Sequence, residues 1–251
     1  MPARGGQGGV SLRMRKLGVI GGLGPMATAL FMKMVIEMTD AAVDQEHIEM
    51  IIYNCPQIPD RTRFILGQSS CDPAPEMIEI GKKLAEQGAE LIAIPCITAN
   101  YFYERLSSEI HAKIIDIIDE IHAYLIKRNI RCAGLMATSG TIESRLFQRI
   151  FEGHDCKLVI PSGERQRDVM HVIYENVKAN RPVEMERFRE VSKELREAGA
   201  EVIILGCTEL SVVRENYPIG AGFLDAMQLM AKCAVESCGQ LKEEYRELIT
   251  S

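Results

Sequence analysis

The chain has 251 residues, 47% hydrophobic and 25% charged, with a formal net charge of −6. That length fills one large or two modest cores, and the composition is that of a soluble globular protein. Acidic and basic residues alternate without a lysine or arginine stripe, which excludes a phosphate-tracking surface, and no run of about 18 apolar residues is present, so neither nucleic acid nor a membrane is an expected partner.

In chain order, residues 1–14 are rich in Gly and Arg and lack an apolar stretch, which reads as a disordered leader, an appended remnant or an upstream start ahead of Met14. Short apolar runs then alternate with helical patterns. Leu17 to Ile20 predicts a strand and Met26 to Met38 a helix; Ile48 to Tyr53 a strand and Ala74 to Glu86 a helix; Leu91 to Ile94 a strand and Tyr101 to His111 a helix. The stretch from Cys55 through Pro56, Pro59 and Arg61 to Pro75 reads as a long loop beyond the second strand, where function often resides. The second half resumes the rhythm, with strands at Cys132 to Ala137, Lys157 to Ile160 and Val202 to Leu205, and helices at Ile142 to Phe151, Gln166 to Lys178 and Val183 to Ala198. This alternation predicts an α/β protein with mainly parallel sheets covered on both faces. The expected units are 15–115 together with 223–251, and 116–222.

The eight cysteines include no Cys-x-x-Cys pair and no histidine at metal-ligand spacing, so no metal is expected. Secreted disulfide frameworks are shorter and denser in cysteine, and no secretory signal precedes this chain, so a reducing cytoplasm is the expected setting.

An internal repeat carries more information. Leu84-Ala-Glu-Gln-Gly-Ala-Glu-Leu-Ile-Ala-Ile-Pro-Cys96 matches Leu195-Arg-Glu-Ala-Gly-Ala-Glu-Val-Ile-Ile-Leu-Gly-Cys207, with the helix-ending glycines and the strand-ending cysteines both offset by 111 positions. Asp116 and Asp225 echo each other more weakly at later strand ends. Gly at a helix end and a buried apolar strand are common solutions and explain part of the match, but they do not require a cysteine at the same place.

Ligands of open α/β sheets sit beyond the carboxyl ends of the strands. Two such units facing each other place Cys96 and Cys207 on opposite sides of one cleft, which suits removal of a proton from one face of a carbon and delivery to the other. One cysteine then acts as thiolate base and its partner as thiol acid. A free thiol titrates near roughly 8.5, so helix starts and nearby cations are needed to make the thiolate available. Thr98, Asn100 and Thr208 follow the two cysteines and can cap backbone or bind a carboxylate. For either cysteine alone, a buried packing role is the plainer reading.

Several blocks in order, namely Gly18 to Thr28 (Gly-Val-Ile-Gly-Gly-Leu-Gly-Pro-Met-Ala-Thr), Asp44 to His47, Asn54 to Thr62, Pro95-Cys-Ile-Thr-Ala-Asn100, Ala137 to Thr141, Gln166 to Met170 and Gly206-Cys-Thr-Glu209, resemble the aspartate racemase branch of the aspartate/glutamate racemase superfamily. The resemblance runs from about Lys16 to the final helix. It implies two pseudo-symmetric domains with the active site in the cleft between them, and a racemase that needs no PLP or other cofactor. It further implies a homodimer, with Cys96 and Cys207 as the acid/base pair acting on aspartate or glutamate. Substrate-binding positions carried over in this way are Gly24 and Met26, Arg61, Ile97 and Thr98, Thr138, Arg167, Thr208 and Glu209. An arginine grips a carboxylate through parallel hydrogen bonds, which suits Arg61 in its proline-framed loop; Arg167 is equally readable as a solvated helix-face charge.

The branch usually reads Pro-Cys-Asn-Thr-Ala-His where this chain has Ile97 and Asn100, and isoleucine offers no polar contact. Cys55 departs as well, where packing is the simpler reading. Other readings stay open. Gly21-Gly-Leu-Gly resembles a dinucleotide fingerprint, but Pro25 and the lack of a well-placed acidic residue weaken it. A maleate isomerase, hydantoin racemase or decarboxylase chemistry uses related cysteines, and a non-catalytic amino-acid-binding protein would keep the cleft without turnover.

Overall fold

The computed structural model describes residues 15–251; the expected leader at 1–14 lies outside them. Two four-stranded sheets, every pairing in them parallel, form the framework, as the apolar-run rhythm predicted. The first has the order β2 (Met50–Asn54), β1 (Leu17–Gly21), β3 (Leu91–Ala93), β4 (Lys113–Ile114). The second repeats it as β6 (Lys157–Val159), β5 (Cys132–Met136), β7 (Val202–Leu205), β8 (Phe223–Asp225). In each sheet the first strand in sequence sits beside the second and third, and the fourth extends the far edge. The backbone of Phe223–Asp225 pairs with β7, so these residues extend the second sheet, whereas the sequence reading grouped them with the first unit.

Eleven α-helices of the described residues connect and flank the strands. In the first half α1 (Pro25–Met38) follows β1, and α2 (Arg61–Ile65) forms inside the proline-bearing stretch that was expected to be loop. Asp60 makes that short helix by accepting the Arg63 N–H at 2.8 Å as its N-cap. Next come α3 (Ala74–Glu86), a 3₁₀ turn at Ile97–Phe102, and α4 (Tyr103–Glu109). α5 (Ile117–Lys127) links the halves. The pattern at 142–151 resolves into α6 (Ser139–Glu143) and α7 (Leu146–Phe151), broken at Arg145, whose φ of 57° is left-handed and cannot continue a helix. α8 (Gly163–His171) runs into a π-helical segment at Val172–Lys178, and α9 (Met185–Glu197), α10 (Thr208–Asn216) and α11 (Ala226–Cys238) complete the set. None is long and apolar enough to cross a membrane.

The sequence repeat has a packing basis. α3 and α9 both end in a left-handed glycine, Gly88 and Gly199, with matching bonds from Ala89 N–H to Leu84 O and from Ala200 N–H to Leu195 O, each 3.0 Å. This closure satisfies carbonyls a helix end would otherwise leave open. The paired leucine and alanine then press on a strand glycine: a Cβ on Gly18 would lie 2.9 Å from Ala89 Cβ, and one on Gly134 3.2 Å from both Leu195 and Ala200 Cβ. Asp116 and Asp225 cap α5 and α11 in the same way, each accepting two backbone N–H groups.

One apolar cluster is shared by the two sheets, running from Leu17, Val19 and Phe31 through Ile117 and Met227 to Leu135 and Ile204. Each half adds its own: Ile20, Met77, Leu84 and Cys96 in the first, Met136, Phe188, Leu195 and Cys207 in the second. Burial of each large side chain is worth about 1.5–3 kcal/mol, so the shared cluster ties the halves together and fixes the strand ends that face each other.

Candidate active site

β3 and β7 stop just short of Cys96 and Cys207, and both cysteines have extended backbones that serve as N-caps, Cys96 to the 3₁₀ turn and Cys207 to α10. They are 6% and 5% exposed and line one small cavity, one thiol from each half. Leu23, Asp60, Arg61, Thr62 and Thr98 contribute from the first half, and Thr138, Tyr174, Lys178 and Glu209 from the second.

Two close approaches bring these elements together. Gly22, with φ of 92°, lies against the end of β2 so tightly that a Cβ would come within 2.4 Å of the Cys55 backbone; this folds the β1–α1 turn inward and delivers Leu23. Across the cleft, a Cβ on Gly140 would come within 2.9 Å of Thr62 Cα, so α2 and α6 meet backbone to backbone. Beside that contact Thr98, Thr138 and Thr141 form a closed triangle of hydroxyls with separations of 3.0, 3.0 and 3.1 Å. Each hydroxyl can donate one bond and accept another, so the buried ring is satisfied internally and stitches the halves together.

Arg61, only 8% exposed, anchors the first wall. Its Nη1 donates to the Ile58 and Pro59 carbonyls at 3.1 and 2.8 Å and its Nη2 to Leu23 O at 2.8 Å, while Nε is buried with no partner. Burial works against the guanidinium, but Cys96, followed by Asp60, outweighs it through charge and hydrogen bonding and raises its pKa. The unspent Nε–H of this cavity-lining arginine is a donor in search of an anion.

The second wall carries opposite charges. Cys207 Sγ donates to Glu209 Oε2 at 2.9 Å, and Lys178 Nζ holds Glu209 Oε1 at 2.5 Å. Burial, then Glu209, push the Cys207 thiol well above its ordinary value, with Lys178 pulling the other way. Burial opposes the Lys178 ammonium too, yet Glu209 and then the cysteines raise its pKa. Tyr174 donates to Asp60 at 3.2 Å, and burial is the main cause that pushes its hydroxyl up to about 12.

The cavity between the thiols has a free volume of only about 10 Å³, the space of roughly one water, whereas a groove of about 1150 Å³ lies outside it. Leu23, Asp60, Arg61, Lys178 and Glu209 border both, so they form the partition between the two. Gly24 and Met26 line the outer groove, at the start of α1.

Of the residues singled out from sequence, the structure brings Cys96, Cys207, Arg61, Thr98, Thr138 and Glu209 to the cavity. Thr208 is buried on the α10 turn and reaches Glu209 Oε2 at 3.4 Å. Two others point elsewhere. Ile97, 1% exposed, belongs to the shared apolar cluster and does not line the cavity. Arg167 is exposed on α8; its neighbour Gln166 is the one turned inward, donating to Ala137 O at 2.9 Å, because helix register allows only one of two adjacent residues that face. Lys178 and Tyr174 were missed, although their four-residue spacing puts them on one helical face. Among the described residues no group of three His, Cys, Asp or Glu side chains is arranged to hold a metal ion.

With this geometry in place, the profile of the Asp/Glu/Hydantoin racemase family matches residues 20–234. The chain belongs to this family. Its fold superposes on that of Picrophilus torridus aspartate racemase with a TM-score of 0.81, at 29% identity, covering 92% of this chain and 98% of that one. An aspartate racemase homologue from Pyrococcus horikoshii follows with 0.71 and 25%, covering 89% and 98%. The broad specificity amino-acid racemase RacX of Bacillus subtilis is 25% identical over 225 residues, which are 88% of this chain and 97% of that protein. These relationships place the chain among the amino-acid racemases and bear out the two-sheet α/β architecture.

Proposed function

We propose that this racemase interconverts the L and D forms of an acidic amino acid, aspartate foremost, by two-base proton transfer at Cα between Cys96 and Cys207. The observation that carries the reading is that a single cavity is lined by one thiol from each pseudo-equivalent half. A substrate Cα between the sulfurs would lose its proton to one and gain a proton from the other. Arg61, with its unpartnered Nε, and Lys178 supply the two cations that an amino-dicarboxylate would meet, the substrate taking over the Lys178 contact that Glu209 makes in the closed cavity. The chemistry asks for no cofactor, and a reducing cytoplasm would keep both thiols free.

The homodimer is part of the same proposal. Met26, Met32 and Ile36, 65%, 41% and 39% exposed, put large apolar side chains on the solvent side of α1, which suits a self-complementary contact; light scattering on the purified protein checks it.

Proton NMR in heavy water on dialysed enzyme, with a panel of L- and D-amino acids, tests the function. The Cα–H signal of aspartate is expected to vanish as the opposite enantiomer accumulates, without added PLP. Exchange of no amino acid in the panel, or exchange only with PLP, defeats the reading.

A further inference from the structure

The two-base reading needs one thiol to give a proton and the other to take one, and the surroundings of the two sulfurs differ in sign. Glu209 sits in the first turn of α10, two residues after Cys207, with Oε2 2.9 Å from its sulfur and Oε1 bound to Lys178. A carboxylate can only accept at such a contact, so the hydrogen between the two atoms belongs to the thiol. At the other end the guanidinium of Arg61, its Nε free of any partner, lies beside Cys96. A guanidinium can only donate, so the sulfur at this end can only accept from it, the reverse of the contact at Cys207.

We infer that Glu209 sets the direction of proton transfer in the empty enzyme, holding hydrogen on Cys207 and leaving Cys96 as the base that meets the first substrate. The inference deepens the two-base proposal and rests on it. Glu209 acts through Cys207 and is a positioning residue. The other groups facing the pair are Lys178 and Tyr174 from the π-helical segment, and Asp60 and Arg61 from the start of α2. Of these, Lys178 opposes Glu209 at Cys207, but the Glu209 carboxylate stands between ammonium and sulfur.

One turnover then moves a proton from Cα to Cys96 Sγ, while the electron pair left on carbon takes the proton of Cys207 Sγ from the opposite side. Cys207 ends as an anion facing the Glu209 carboxylate, with Lys178 offsetting both, so this form is higher in energy than the starting one. It resets by turning over the opposite enantiomer or by exchanging protons with solvent. Because the free enantiomers are equal in energy, kcat/KM is the same for both, and the asymmetry appears as equal-fold differences in kcat and in KM.

Alkylation of each cysteine by iodoacetamide across pH, followed by mass spectrometry, reads the protonation directly, and its midpoint is independent of access to the cavity. In the wild type the Cys207 midpoint is expected to lie above the ordinary value of 9.0. Glu209→Gln should lower the Cys207 midpoint by about one pH unit, roughly tenfold in labelling at fixed pH, with Glu209→Asp in between and circular dichroism unchanged. The KM values for L- and D-aspartate should converge in the Gln variant. A Cys207 midpoint unmoved in the Gln variant, or one at or below the ordinary thiol value in the wild type, overturns the inference even if racemisation is normal. A shifted midpoint in an enzyme that never exchanges the aspartate Cα proton supports the role of Glu209 and counts against the substrate assignment instead.

Discussion

Cys96 and Cys207 terminate equivalent strands, after helices that close on the same glycine turn, yet the chain leaves them in opposite fields: a guanidinium beside the first, a carboxylate beside the second. The backbones also part directly after the cysteines, into a 3₁₀ turn at Ile97 and an α-helix at Thr208. A repeated framework thus supplies the symmetric placement that a two-sided proton transfer requires, and side chains outside the repeat break that symmetry. Arg61 enters from the first turn of α2, and Glu209 from the first turn of α10, just past the cysteine that ends the repeated stretch, with Lys178 reaching it from the end of the π-helical segment.

The largest expected effect tests the shared half of this comparison. Cys96→Ala and Cys207→Ala should each reduce racemisation on the order of 10³-fold, the scale of a positioned acid or base, as read by chiral chromatography of aspartate. Equal losses mean that both ends are needed in either direction. A variant that keeps wild-type turnover would show that one thiol only packs, and the opposed-base arrangement would fall.

The Cys207 end carries a second, more modest signature in the dependence of stability on pH. A thiol whose pKa is raised by folding keeps its proton in the native state while the unfolded chain releases it. Its contribution is therefore intact below the ordinary value of 9.0 and is lost as pH rises beyond it. Cys207 shifts in this direction, burial first and Glu209 next, and burial pushes Cys156 and Cys238 to about 11. Tyr174 and Lys178 are also raised and act with the same sign. Urea unfolding should show stability falling from about pH 9 upward, by about 1.4 kcal/mol per pH unit for each thiol still protonated only in the native state. Cys207→Ala should flatten that slope; a profile as steep as wild type would mean that Cys207 is not held protonated by the fold.

Much of this arrangement is visible in the sequence for identifiable reasons. The strands and most helices follow from apolar periodicity, and the equivalence of the halves follows from Gly88, Gly199 and the cysteines that come eight residues after each. Arg61 was legible because prolines frame it. The contacts that decide the chemistry were not, because they depend on where a helix face points after packing. α2 forms inside an apparent loop once Asp60 caps it, the widening at Val172–Lys178 leaves no mark in periodicity, and Arg167 and Gln166 differ only by a rotation about α8. Phe223–Asp225 joined the wrong half in the sequence reading because a three-residue strand reveals nothing about which sheet it will extend.

Ile97 and Thr208 occupy the position directly after each cysteine, and they sharpen the comparison at its smallest scale. Thr208 faces Glu209, whereas Ile97 is buried in the shared core with Ala93, Ile117 and Met227. If that placement governs, Ile97→Asn puts an amide among apolar side chains with no partner in reach, costing about 1–3 kcal/mol. Urea midpoints should drop accordingly, and KM for aspartate should stay within about twofold, a difference worth only about 0.4 kcal/mol. The opposite result, unchanged stability with a lower KM, would mean that the residue after Cys96 reaches the substrate. The two ends of the cavity would then differ in what they recognise as well as in the sign of the charge they present.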